Sequence, residues 1–209
     1  MIISLFCITT TAFASDKGIG LRLGAAQNDP KTMETLHDQA VAQGNAAKKT
    51  KNNMVFGIEA FEEWNLSDET NKIGVKLGIE GYGQNKLSVN WGDGKLTETT
   101  YAIPTTVYYK KDHGLKNWSW FAGAGFTFIR TEIKGKAIGY EDKWEKSKVF
   151  PHVTVGTEYR FSEKFALGLD LKYNIAAKVK KDINEIAMYN ATISDRSGIG
   201  GAITARFYF

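Results

Sequence analysis

Only one cysteine occurs in the 209 residues, at position 7. It lies inside an N-terminal stretch that reads as a cleaved leader, so the mature chain is expected to hold no thiol, disulfide or cysteine-ligated metal. Prolines number three against 21 glycines, a balance that suits extended strands with close backbone contacts. No run of about 18 apolar residues occurs, which excludes a transmembrane helix. It does not exclude a membrane barrel, because alternating strands keep the mean hydropathy low, here −0.31. Walker loops, zinc spacings and recognition-helix patterns are absent as well. The net charge of +4 arises from Lys and Glu mixed along the chain, not gathered on one segment, so nucleic acid is not an expected partner.

What is present begins with "MIISLFCITTTAFASDKG". A short apolar stretch runs into Ala12-Phe13-Ala14, a small-x-small cleavage pattern. The reading is a secretory signal over 1–14 and one mature domain over 15–209. The leader lacks a basic start, and Phe6 before Cys7 argues against a lipoprotein cysteine.

After Gly18 the apolar residues recur with a period of two. Eight strands are predicted: "GIGLRLGAA", "MVFGIEAFEEWNL", "KIGVKLGIEGYG", "YAIPTTVYY", "WSWFAGAGFTFIR", "VFPHVTVGTEYRF", "FALGLDLKYNIA" and the terminal "RSGIGGAITARFYF". A polar stretch over about 27–53 contains "TMETLHDQAVAQ", a possible short helix. Connections are predicted long after strands one, three, five and seven, including a charged loop over about 131–147, and short after two, four and six. An even strand number with long and short connections on opposite ends is the pattern of an outer-membrane barrel, with short turns in the periplasm and long loops outside. The predicted fold is therefore all-β: an eight-stranded antiparallel up-and-down transmembrane β-barrel with four long extracellular loops.

Alternation alone leaves the direction of the apolar face open, since a soluble barrel would turn it inward. Three features favour lipid outside. One parity is dense in charge of both signs: Arg22, Glu59, Lys76, Glu80, Glu158, Arg160, Asp170, Lys172 and Arg206. An eight-stranded barrel is just wide enough for its own side chains, so such charges can pair and plug it. Aromatics gather at the strand ends beside the short turns: Trp64, Tyr109, Trp118, Trp120, Tyr159, Phe161 and Phe165, with Phe207 and Phe209. That is the interfacial girdle expected of a membrane barrel. Finally, Phe209 continues the apolar row of the last strand to its end. That strand is expected to pair with the first, leaving no edge in lipid. Glu62 and Glu63 fit less well, because one of two neighbours must face outward. Pro104 and Pro151 are placed towards the outer ends of their strands.

"GAITARFYF" resembles the C-terminal signature of bacterial outer-membrane barrels, and "AIPTTVYYKKDHGLKNWSWFAGAGFTF" resembles strands four and five of small ones. The chain resembles the outer-membrane protein W-like and surface-antigen families. The resemblance implies a bacterial outer-membrane location, contact with outer-membrane lipid and lipopolysaccharide, and reading of Phe207 and Phe209 by the barrel-assembly machinery during biogenesis.

Catalysis would need a base with a nucleophile or paired acids in reach. His152, Thr154 and Glu158 share one parity and are the candidates for a lipid-modifying site. The alternative is a lumen histidine among polar neighbours. His37 and His113 have no ligand spacing around them, so no metal and no cofactor is expected. Gly123 and Gly125 read as relief of crowding, because no helix follows to make a phosphate cradle. The sequons "NLS", "NWS" and "NAT" would go unused in a bacterial barrel. The first functional reading is a non-enzymatic surface-antigen-type barrel whose loops contact a host or surface ligand or support envelope integrity. A narrow channel for small or hydrophobic solutes is the alternative, and a lipid A-modifying enzyme ranks third.

Overall fold

The computed structural model describes residues 15–66, 70–90, 94–112, 117–137, 140–180 and 192–209. The leader with Cys7, His113 and the sequon asparagine Asn190 lie outside them. The elements are β1 (Ser15–Ala26), α1 (Lys31–Ala42), β2 (Ala47–Thr50), β3 (Met54–Asn65), β4 (Asn71–Val89), β5 (Gly94–Asp112), β6 (Trp118–Ala137), β7 (Tyr140–Ser162), β8 (Phe165–Asn174), β9 (Lys178–Lys180), β10 (Thr192–Asp195) and β11 (Gly198–Tyr208). Eight of the strands close a ring in the order β1-β3-β4-β5-β6-β7-β8-β11, every neighbour antiparallel. The seam is the pairing of first and last strand, from Gly18 opposite Tyr208 to Ala26 opposite Gly200. Phe209 extends it by donating its amide to the Lys17 carbonyl at 3.0 Å.

The ring is inside out relative to a soluble barrel. On β6 the outward Phe126 is 62% exposed, whereas the inward Arg206 of β11 is 1% exposed. Ile19, Leu21 and Leu23 of β1, Leu167 to Tyr173 of β8, and Ile199 and Ile203 of β11 are likewise exposed. Water would expel such a surface, whereas hydrocarbon accepts it once closure has satisfied the backbone polar groups. The pleat sends alternate side chains to opposite faces, so one period of two builds both surfaces. Gly123 and Gly125 sit mid-strand in β6, where an added Cβ would collide with the Val107 and Thr105 carbonyls of β5. Their smallness lets the strands approach.

The structure departs from expectation above the membrane band. Residues 84–89 and 94–100, read as a polar connection after the third strand, and 131–137 and 140–147, read as a charged loop, are strand. β4 and β5 run for 19 residues each, β6 for 20 and β7 for 23. The other four ring strands have only 10 to 12. At about 3.3 Å per residue and a tilt near 40°, the shorter strands span roughly 25–30 Å, one hydrocarbon core. The longer four therefore raise a wall of roughly 20–30 Å beyond it. Their upper halves pair as solvated hairpins, so polarity there marks water contact and not a loop. A register shift between Tyr82 and Asn85 also changes the parity of β4. Both residues face inward, separated by three positions instead of two.

Pro104 is a second departure. It lies in the middle of β5, buried in the lumen opposite Gly78, not at a strand's outer end. The β4–β5 ladder opens there between the pairs Leu77–Thr105 and Glu80–Ala102, which accommodates a residue without an amide proton. Helix α1 covers 31–42 as the pattern suggested and buries Met33 and Ala40. The short β2 adds to the upper edge of β4, and β9 and β10 form a hairpin inside the wall.

Candidate functional site

Among the described residues, the lumen gathers the largest set of buried ionisable side chains. Eight of the nine residues predicted there are buried: Arg22 on β1, Glu59 on β3, Lys76 and Glu80 on β4, Glu158 on β7, Asp170 and Lys172 on β8, and Arg206 on β11. Arg206 donates from Nε to Glu59 at 2.9 Å and from Nη1 to Glu158 at 2.7 Å. Arg22 donates to Glu80 at 2.8 Å, and Lys172 grips both oxygens of Glu80 at 3.0 and 2.7 Å. Lys76 reaches Asp170 at 3.3 Å. The ninth, Arg160, is half-buried at the short-turn mouth, where it binds Asp16 at 3.3 Å and stacks 3.9 Å above the Tyr208 ring.

Two charged members escaped the sequence reading. Lys110 bonds both oxygens of Glu63 at 3.1 Å and Glu158 at 2.8 Å. Tyr108 donates to Glu63 at 2.8 Å and Tyr208 to Glu158 at 2.6 Å. The signal for Lys110 is its parity, shared with Thr106 and Tyr108; it lies one residue beyond the predicted end of the fourth strand at Tyr109. The Glu62–Glu63 difficulty resolves the same way. Glu63 faces in, and Glu62 faces out at the turn rim, paired with Lys17 at 3.2 Å.

With these additions the lower lumen holds five buried cations, Arg22, Lys76, Lys110, Lys172 and Arg206, and five buried carboxylates, Glu59, Glu63, Glu80, Glu158 and Asp170. The sum is neutral, which a narrow, dehydrated interior requires. The gap between Arg22, Glu59, Lys76, Pro104, Thr106 and Lys172 measures about 10 Å³, room for at most one water molecule.

His152 marks the top of this network. Its Nε2 bonds Thr106 and its Nδ1 bonds Thr127, each at 2.9 Å. Thr154 instead donates to the Leu171 carbonyl at 2.9 Å, and Glu158 is held by Lys110, Arg206 and Tyr208. The candidate catalytic trio shares a face of β7 but forms no relay. Above His152 the filling becomes apolar: Val55, Tyr82, Ala102, Ile129, Phe150 and the hairpin's Val179 pack together. Arg196 closes that chamber with bonds of 2.8 Å to Glu98 and 2.7 Å to Thr100, its guanidinium 4.5 Å from the Tyr82 ring.

On the outer face, the predicted girdle residues adjoin the short turns. Trp118, Tyr159, Phe161, Phe165 and Phe207 form a run of ring contacts with centroids 4.7–5.8 Å apart. Tyr109 and Trp120 make a separate edge contact at 5.7 Å. Trp64 is half-buried opposite Ser15 and Ile73. Beyond the other edge of the band, on the tall wall, Lys143 bonds Glu145 and Glu132, and Arg130 bonds Glu145. Those contacts, Lys143's first, hold both carboxyls below the usual glutamate range.

An apolar-clad ring around a charge-paired lumen defines a membrane β-barrel. The sequence places it further: a model of the outer membrane protein beta-barrel domain matches residues 1–194, so the chain belongs to that family. No curated protein matches it. Among solved structures it is similar to Ail, the attachment invasion locus protein of Yersinia pestis, with TM-score 0.50, 9% identity, and coverage of 93% of this chain and 96% of that one. It is also similar to Neisserial surface protein A, with TM-score 0.47, 12% identity, and coverage of 93% and 97%. A third is the N-terminal β-barrel domain of Pseudomonas aeruginosa OprF, with TM-score 0.43, 10% identity, and coverage of 94% and 100%. At such identities the likeness to Ail is one of fold. The protein is an eight-stranded barrel of the bacterial outer membrane.

Proposed function

We propose that this is a non-enzymatic surface scaffold: the barrel anchors it, and the tall wall with its covering loops makes contacts outside the cell. The observation that carries this reading is the filled interior. Charge pairs occupy the lower lumen and an apolar cluster occupies the upper one, which leaves little room for a solute path. The buried charges serve as a plug, and the aromatic run with Phe207 and Phe209 sits where interfacial anchoring and assembly recognition would need it. Binding then belongs to exposed surface on a rigid frame.

Orientation tests this first. The mature chain is expected to lack cysteine, so Ser88→Cys on the wall and Glu163→Cys in a short turn provide single probes. On intact cells a membrane-impermeant maleimide is expected to label Ser88→Cys and spare Glu163→Cys. The reverse pattern overturns the surface reading. If the wall is outside, deleting residues 30–50 should abolish surface binding while folded, heat-modifiable gel migration persists.

A further inference from the structure

Arg196 stands apart from the lower network. It follows β10 and is buried in the upper chamber, where two ring strands form a cage around its guanidinium. Glu98 and Thr100 on β5 accept from its Nη2 at 2.8 and 2.7 Å, and the Tyr82 ring on β4 lies 4.5 Å away. Asn85 donates to the same Glu98 oxygen at 3.4 Å, which steadies the carboxylate. The cage is built by cross-strand pairing, Tyr82 opposite Thr100 and Asn85 opposite Glu98, and all four residues are buried.

The occupant fits this cage poorly. Nε and Nη1 of Arg196 are buried without a hydrogen-bond partner. The guanidinium therefore meets Glu98 through one nitrogen, not through the two-bond fork it can offer a carboxylate. Buried donors without acceptors cost stability. The backbone accounts for the misfit. Arg196 donates its amide to the Ala177 carbonyl at 3.1 Å, and its own carbonyl accepts from Asn174 at 3.3 Å. β10 pairs with β9 outside the ring sheet, apart from a bridge between Asp195 and Asp29. The chain leaves the ring through Ala176 and rejoins it at Gly198, with φ of 51° and 120°. The left-handed region is unfavourable for alanine. The cage thus sits on rigid strands, and its occupant hangs from a strained connection.

We infer that the cage of Glu98, Thr100 and Tyr82 is a binding site for an alkylguanidinium group, the head of an arginine side chain, and that Arg196 fills it as an internal stand-in. An untethered guanidinium can turn its fork onto both Glu98 oxygens, and the Tyr82 face accepts its cation. Ile129, Phe150 and Val179 nearby suit its alkyl stem. Only a ligand that replaces the charge displaces Arg196, since Glu98 would otherwise remain a lone buried carboxylate. The charge pairs below His152 close the chamber from underneath, so entry is from the wall end. The site deepens the surface role proposed above and rests on the wall lying outside.

The test uses the refolded mature chain in detergent micelles, where both ends are accessible. The probes are butylguanidinium, its neutral analogue butylurea, and a blocked tripeptide containing one arginine. Val179 is buried on β9, so in Val179→Cys a maleimide reports the opening of the chamber. Saturating butylguanidinium or tripeptide is expected to speed labelling about fivefold or more, with butylurea leaving the rate unchanged. Glu98→Gln in the same background should raise the base rate and abolish the acceleration. Arg196→Ala should lower the unfolding midpoint, read by heat-modifiable gel migration, and butylguanidinium should restore it saturably while Glu98 is present. Labelling insensitive to both guanidinium compounds, equal acceleration by butylurea, or an Arg196→Ala protein that folds without being rescued overturns the inference. If Arg196→Ala does not fold, the Val179→Cys rates decide alone. Tighter binding of the tripeptide identifies a polypeptide arginine as the source, and tighter binding of butylguanidinium a free small molecule; either upholds the cage. Failure here concerns the cage, while failure of cell labelling concerns orientation.

Discussion

The two ends of this tube are filled differently, by many ion pairs below and by an apolar cluster with a single ion pair above. From the short turns up to His152, ionised groups pair across the lumen, Arg206 with Glu59 and Glu158, and Lys172 with Glu80. Above His152 Ile129, Phe150, Tyr82 and Val179 pack together around one buried ion pair, Arg196 with Glu98. The difference follows from what lies outside each part. Where the outer face meets lipid, both apolar and polar residues are in use, one per parity, and the polar set has only the lumen to occupy. Where the wall stands in water, the outer parity is charged and the inner one can be apolar, as in an ordinary sheet.

This contrast can be broken from either side. The largest effect is expected from Arg206→Ala, which leaves Glu59 buried without its main partner and strips Glu158 of one of its two cations. About 3–5 kcal/mol should be lost from urea unfolding in vesicles. The apolar end should respond to volume instead: Ile129→Ala is expected to lose about 2–4 kcal/mol with no dependence on salt. Pairing predicts rescue in the lower lumen. Lys110→Met alone should destabilise by about 3 kcal/mol, and adding Glu63→Leu should restore at least half, because no lone charge then remains between them. The double variant measured against both singles gives that coupling. Lys95→Gln on the wall should change stability by less than about 0.5 kcal/mol, since nothing in the fold leans on it.

Much of the lower part was legible because alternation there is forced by two solvents, lipid outside and packed charge inside. Rows such as Leu167, Leu169, Leu171 against Asp170 and Lys172 admit one reading. The upper part was not, for separate reasons. Thr97, Lys134 and Lys143 look like loop residues until their pairing partners are known. The β4 bulge changes parity between Tyr82 and Asn85, which no fixed period reports. Lys110 and Glu63 lie beside turns, where polar residues blur the strand end and two neighbouring acids hide which one faces inward. Arg196 and Glu98 meet only through the closure of the ring, 98 residues apart in sequence.

The central claim is that the interior is closed, by charge below and apolar packing above. Planar-bilayer recording of the folded mature protein tests it most directly. The account predicts a silent wild type and current steps only after the plug is breached, as in Arg206→Ala. Steady, uniform conductance steps from the unmodified protein would contradict it.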